Sequence, residues 1–135
     1  FIGDATMAVF NAPFDLDDYI YRAVCTARDI VAGAQDLEDR MEKRFHKKVN
    51  FGIGISCGPA VVGNVGCDFR MDYTAIGDTV NTASRLEGKA MASEILISEQ
   101  VYEALKGRIR VTEKGMISLK GKAKEICVYS VEEVL

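Results

Sequence analysis

Val49-Asn50-Phe51-Gly52-Ile53-Gly54-Ile55-Ser56-Cys57-Gly58-Pro59 decides the fold. Large apolar residues at 49, 51, 53, 55 and 57 alternate with small or polar ones, the period of a β-strand. One face is apolar. The other carries only Asn50, Gly52, Gly54 and Ser56, and such a bare face lets a ligand or a neighbouring element approach closely. Cys57-Gly58-Pro59 reads as a turn, Ala60 to Val65 as the returning strand, and Gly66-Cys67-Asp68 as a loop.

Upstream, Phe1-Ile2 and Ala5 to Phe10 read as strands around a Gly3-Asp4 hairpin turn. Asp15, Asp17 and Asp18 open a long helix, with Asp17 as its N-cap. Ile20, Ala23, Val24, Ala27, Ile30, Val31, Ala34, Leu37 and Met41 recur at three and four and form its core-facing stripe. The mixed charges from Glu38 to Lys48 read as a solvated end.

Downstream, Arg70 to Glu87 holds a turn and a helix start, with Asp78 or Thr79 as cap and Val80, Ala83 and Leu86 inward. Glu94 to Ile97 is a short buried strand. Ser98 caps a short helix through Leu105, which Gly107 ends. Arg108 to Glu113, Met116 to Leu119 and Ile126 to Val131 are strands, with turns at Lys114-Gly115 and Lys120-Gly121-Lys122. Antiparallel pairs mixed with crossing helices predict an α+β fold of ferredoxin-like type, a mixed/antiparallel sheet with helices mainly on one face. Residues 1–135 read as one domain, long enough for a sizeable core.

The net charge of −3 gives no broad electrostatic case for nucleic acid or an anionic membrane, so an anionic substrate needs local cations. No apolar run approaches the ~20 residues that span a bilayer. The chain opens on Phe1, not Met, and is expected to be a piece of something longer. Cys25, Cys57, Cys67 and Cys127 match neither paired metal ligands nor a compact disulfide framework. Cys57 and Cys127 lie in apolar strand patterns and are expected to be buried thiols, in keeping with a reducing compartment. His46, the single histidine, sits among Arg44, Lys47 and Lys48 and reads as solvated.

Four features can carry chemistry. Asn81 and Arg85 are four apart and share a helix face, a pairing that suits a phosphate-bearing substrate near a helix N-terminus; two solvated residues are the alternative. Asp4, at a hairpin tip, suits a Mg²⁺ ligand or merely favours the turn. Lys120-Gly121-Lys122 can hold a triphosphate by point charge or serve only as an exposed turn. Gly63 and Gly66 bound a loop that could cradle phosphate, although no GxxxxGK[ST] is present.

Together these pieces resemble the class III nucleotidyl cyclase catalytic domain, the adenylyl/guanylyl cyclase homology domain. The matching segments stand in the family's order: Ile2-Gly3-Asp4-Ala5-Thr6-Met7-Ala8-Val9-Phe10, Gly52 to Gly58, Val61-Val62-Gly63-Asn64-Val65-Gly66, Asp72 to Glu87, and Lys120-Gly121-Lys122. The resemblance covers nearly the whole chain, and Tyr73 to Glu87 is its most specific part. It implies that Asp4 is the second of two metal-binding aspartates and that Asn81 orients the ribose. Arg85 would stabilise the pentavalent phosphorus transition state, and Lys120 would contact the terminal phosphates. Thr74 falls where a polar residue reads the base, and Ala75 and Ile76 would line the base pocket. Thr there goes with adenine, whereas guanylyl cyclases usually carry Cys.

The implied activity is adenylate cyclase: ATP to 3′,5′-cyclic AMP and pyrophosphate, with two Mg²⁺ or Mn²⁺ ions per site of the complete domain. The implied partners are a second copy of the domain, which shares the site in a homodimer, and an upstream regulatory domain in the parent protein. The implied location is cytoplasmic, with a parent that can be membrane-anchored. A guanylate cyclase and a non-catalytic nucleotide-binding regulator are the competing readings. The family's first metal aspartate, on an earlier strand, and the adenine-reading lysine, which would precede Phe1, have no match here. The polypeptide alone is therefore expected to have little or no activity.

Overall fold

The computed structural model describes residues 5–46, 51–67, 70–118 and 125–135. Its elements are α1 (Tyr19–Phe45), β1 (Ile53–Ile55), β2 (Val61–Cys67), β3 (Arg70–Ile76), α2 (Asp78–Lys89), β4 (Ile95–Ser98), α3 (Glu99–Leu105), β5 (Ile109–Ser118) and β6 (Glu125–Val134).

Two sheets result. The larger has the order β1-β4-β6-β5, and β2 and β3 form a separate two-stranded sheet. Of the strand predicted at 49–57, Ile53–Ile55 forms β1, while Phe51, Gly52, Ser56 and Cys57 flank it and Val49 and Asn50 lie outside the described residues. Strand β1 runs parallel to β4, with Ile53 opposite Ile95 and Ile55 opposite Ile97. A parallel pair requires a crossover, and here β2, β3 and α2 supply it. The β4–β6 and β5–β6 pairs are antiparallel. The mixed α+β architecture is as predicted.

Strand β4 is buried throughout. Ile95 and Ile97 join Val24, Ala27 and Val31 of α1, Val101 and Leu105 of α3, and Ile109 and Val131 in one core. Leu96 points the other way, into a smaller cluster with Leu86 of α2 and Val128. This is the period-2 rule at work. Two helices thus cover one face and α2 covers the other.

Several expectations are corrected. Ala5 to Phe10 is not a strand: only Ala5 makes a bridge, and Val9 is 39% exposed. The Phe1-Ile2 strand and the Gly3-Asp4 turn lie outside the described residues. Asp17 does not cap α1. Asp18 occupies that position in a left-handed conformation (φ 55°) and makes no side-chain cap bond. Its carboxylate instead accepts two hydrogen bonds from Arg108, at 2.9 and 2.7 Å, and that guanidinium lies 3.9 Å over the Tyr21 ring. The hydrogen bonds from Arg108 hold the Asp18 carboxyl below its ordinary value.

The stripe of α1 packs only over its first half. Val24, Ala27 and Val31 are buried, whereas Ile30 and Leu37 are exposed. The helix continues through the charged segment to Phe45. The strand from Ala60 pairs with β3 and not with β1, and it runs through Gly66 and Cys67, which were expected to form a loop. Arg70 to Ile76, expected to be a turn, is its partner strand. Lys114-Gly115 is no turn either. It is a register irregularity inside the continuous strand β5, where Gly115 takes φ 98°. Cys57 and Cys127 are half-buried and not buried.

Local signals near the C-terminus hold. The Ser98 hydroxyl accepts the Val101 amide at 3.4 Å and caps α3. Gly107, with φ 87°, follows the helix end.

Candidate functional site

The bare face of β1 seats α2. A Cβ on Gly52 would lie 2.8 Å from Ala90 Cβ. One on Gly54 would press into the Glu87 amide nitrogen and the Ala83 carbonyl oxygen and lie 2.8 Å from Leu86 Cβ. The Ser56 hydroxyl, next along the same face, donates to the Thr79 carbonyl. From Gly52 to Ser56 the strand meets the helix from its last turn to its first, so the two run antiparallel in close contact. Of the two occupants that the glycines allowed, the neighbouring element is the one found.

Helix α2 starts at Gly77, whose φ of 138° favours glycine. The N-cap is Gly77 and not the expected Asp78 or Thr79, and Gly77 has no side chain to make a cap bond. The Thr79 hydroxyl is used elsewhere, donating to the Pro59 carbonyl at 2.7 Å. The Asn81 amide closes the first turn on the Gly77 carbonyl at 3.1 Å.

Burial of Leu86 and Ala83 against β1 and β4 turns Asn81 and Arg85 outward, one turn apart, and both side chains are exposed. Arg85 is not loose. Its Nε–H donates to the Ser118 carbonyl at 3.3 Å, at the end of β5. The helix N-terminus, an amide and an oriented guanidinium form an open, anion-accepting surface.

The remaining predicted site residues are placed as follows. Thr74, Ala75 and Ile76 form the end of β3, opposite Gly63, Val62 and Val61, one residue before the start of α2; Ile76 is 50% exposed. The glycine loop proposed as a phosphate cradle is part of strand β2, so Gly63 and Gly66 belong to a ladder. Asp4 and Lys120 lie outside the described residues. Among the described residues no group of three or more His, Cys, Asp or Glu side chains converges as a metal site. Two shallow clefts run along α1 between Asp36 and His46, and α2 lines neither. Burial pushes the Cys57 thiol above its ordinary value, so it is no ready nucleophile.

Sequence reasoning named Ser56 on the bare face and Thr79 as a possible cap but missed the bonds from Ser56 to the Thr79 carbonyl and from Thr79 to Pro59. The signal for Ser56 was present: it is the one hydroxyl on a face otherwise made of Asn50, Gly52 and Gly54.

The family model for the adenylate and guanylate cyclase catalytic domain matches residues 1–133. The chain belongs to the class III adenylyl/guanylyl cyclase catalytic domain family. It is 32% identical to adenylate cyclase 1 of Rhizobium meliloti (strain 1021), over 100% of this chain and 21% of that protein. It is 31% identical to the guanylate cyclase soluble subunit beta-2 of Rattus norvegicus, over 98% of this chain and 19% of that one. Among solved structures, the adenylyl cyclase CyaB from P. aeruginosa superposes with a TM-score of 0.81 at 32% identity, covering 93% of this chain and 66% of that one. This cyclase domain thus spans about a fifth of the length of these two curated relatives. Among the described residues, no helix is long and apolar enough to cross a membrane.

Proposed function

We propose that this cyclase domain is the catalytic domain of an adenylate cyclase, converting ATP to 3′,5′-cyclic AMP and pyrophosphate. The observation that carries the reading is the open face of α2, where Asn81 and a tethered Arg85 stand one turn apart directly after the Thr74–Ile76 stretch.

In the reaction the ribose 3′-oxygen bonds to the α-phosphorus as the bond to the β-phosphate oxygen breaks. Negative charge builds on the non-bridging oxygens. A guanidinium already oriented by the Ser118 carbonyl meets that charge without reorganisation, which is the condition for electrostatic stabilisation of a transition state. The Asn81 amide can both donate to and accept from sugar oxygens, and so holds the attacking hydroxyl in line. Thr74 would read the base, with Ala75 and Ile76 beside it, and Lys120 would contact the terminal phosphates. Divalent Mg²⁺ or Mn²⁺ is the cofactor assigned to the complete domain, with Asp4 as the carboxylate offered from this chain. Because the chain carries Asp4 as well as Asn81 and Arg85, a homodimer sharing two sites is the assembly proposed.

Adenylate and guanylate cyclases are similarly close in sequence, so the choice of ATP rests on Thr74. Turnover of ATP and GTP by the full-length parent, with Mn²⁺ and with Mg²⁺, tests the reading. Cyclic AMP as the main product supports it. Preferential cyclic GTP formation moves the protein to the guanylate cyclases. Absence of both products in a folded protein that binds nucleotide makes it a regulatory homologue.

A further inference from the structure

Strands β2 and β3 form an arm. Among the described residues they pair only with each other, from Val61 opposite Ile76 to Cys67 opposite Arg70, and are not hydrogen-bonded into the four-stranded sheet. The two ends of the arm meet at the start of α2, where Thr79 holds the entering side. On the entering side, the Thr79 hydroxyl donates to the Pro59 carbonyl at 2.7 Å. A Cβ on Gly58 would lie 2.9 Å from that hydroxyl oxygen. On the leaving side, Gly77 packs near Pro59 and Ala60: its Cβ would lie 3.7 Å from Ala60 Cα. The Thr79 carbonyl takes the Ser56 hydroxyl from β1. One residue in the first turn of α2 therefore ties the strand that seats the helix to the base of the arm.

This is not a helix cap. A capping hydroxyl accepts from an amide of its own helix, whereas Thr79 donates to a segment twenty residues away. We propose that Thr79, with Ser56, is a positioning residue that fixes the arm relative to α2. On the reading above, the arm carries the base-reading stretch Thr74–Ile76 and α2 carries Asn81 and Arg85. One nucleotide can satisfy both only if their separation is constant. The latch therefore sets base discrimination and the alignment of the triphosphate together, without touching the substrate.

The test compares Thr79→Val, which keeps the branched shape and loses the donor, with Thr79→Ser, which keeps the donor, in the full-length parent. Amide hydrogen exchange is read first and needs no substrate. Thr79→Val should speed exchange across Val61–Cys67 and Arg70–Ile76 while leaving β4 and β6 as in the wild type, and Thr79→Ser should restore protection. In turnover, Thr79→Val should lower kcat/KM for ATP about tenfold, the scale of one lost hydrogen bond. It should also narrow the ratio of ATP to GTP turnover, and Thr79→Ser should recover both. Unchanged arm exchange in Thr79→Val overturns the latch. Faster arm exchange with an unchanged nucleotide ratio overturns its role in discrimination. If the wild-type parent turns over neither nucleotide, the cyclase reading fails while the exchange result still decides the latch.

Discussion

Replacing Gly54 by alanine tests the seat of α2 with the smallest possible change. The added methyl would lie 2.8 Å from Leu86 Cβ and closer still to the Glu87 amide nitrogen and the Ala83 carbonyl. Carbon atoms prefer about 3.5–4.0 Å, so helix and strand must separate by roughly 1 Å. Two of the three neighbours are backbone atoms, so no rotamer change relieves the clash. Overpacking of this kind costs about 1–3 kcal/mol. At about 4 °C per kcal/mol for a domain of this length, the melting temperature should fall by about 4–12 °C. Asn81 and Arg85 ride on the displaced helix, and a 1 Å error in positioning costs on the order of 10²-fold in rate. The paired assay is thermal unfolding beside ATP turnover at a temperature well below the melt. Activity should fall far more than the unfolded fraction explains. A melting temperature and kcat both equal to wild type would refute the close antiparallel contact of α2 with β1.

Gly33→Ala is the converse case. Nothing lies within 4 Å of the added methyl, in the exposed middle of α1, and the gain in helix propensity should raise stability by about 0.8–1 kcal/mol, read as a higher denaturant midpoint. Arg85→Ala should cut kcat by about 10²–10³ with little change in melting temperature, the cost of losing one preorganised donor; an unchanged kcat removes Arg85 from the chemistry. Glu94 accepts the Met91 amide at 3.0 Å and the Ser130 hydroxyl at 3.1 Å, with Lys114 at 3.5 Å. Glu94→Ala strands the buried Ser130 hydroxyl and should destabilise by about 1–3 kcal/mol in chemical denaturation. Burial opposes ionisation of Glu94, but these three partners outweigh it and hold the carboxyl below its ordinary value. A depressed folded pKa means that its contribution is complete above that ordinary value and fades as the pH falls through the lowered one. The stability difference between wild type and Glu94→Ala should shrink over the same acidic range.

What was legible in the sequence was local. The Ser98 cap, the Gly107 stop and the buried run at Ile95 to Ile97 depend on neighbours within a few positions, and each element forms there. The α1 start was misread because the carboxylate of Asp18 is engaged by Arg108, ninety residues on, and no local pattern encodes that. Strand β3 was missed although Arg70 to Ala75 alternates polar and apolar residues, because the run was read together with the helix that follows it as a turn and a helix start; its partner is the Val61–Cys67 strand. Gly115 looked like a turn because glycine marks turns and bulges alike. The Asn81/Arg85 spacing was readable as a shared face. The tether of Arg85 to Ser118 was not, since it depends on a carbonyl thirty-three residues away.

On the proposed reading, helix α2 and the β2–β3 arm divide recognition in a way that bears on how nucleotide preference can change. Ribose and triphosphate are common to ATP and GTP, and the helix assigned to them is wedged backbone against backbone, where substitution is punished. The base is what differs, and the stretch assigned to it lies on an arm outside the main sheet. A lineage could therefore exchange one purine for the other by altering the arm while the reaction machinery stays in register. Relatives of both specificities at almost equal distance from this chain are what such modularity would leave behind.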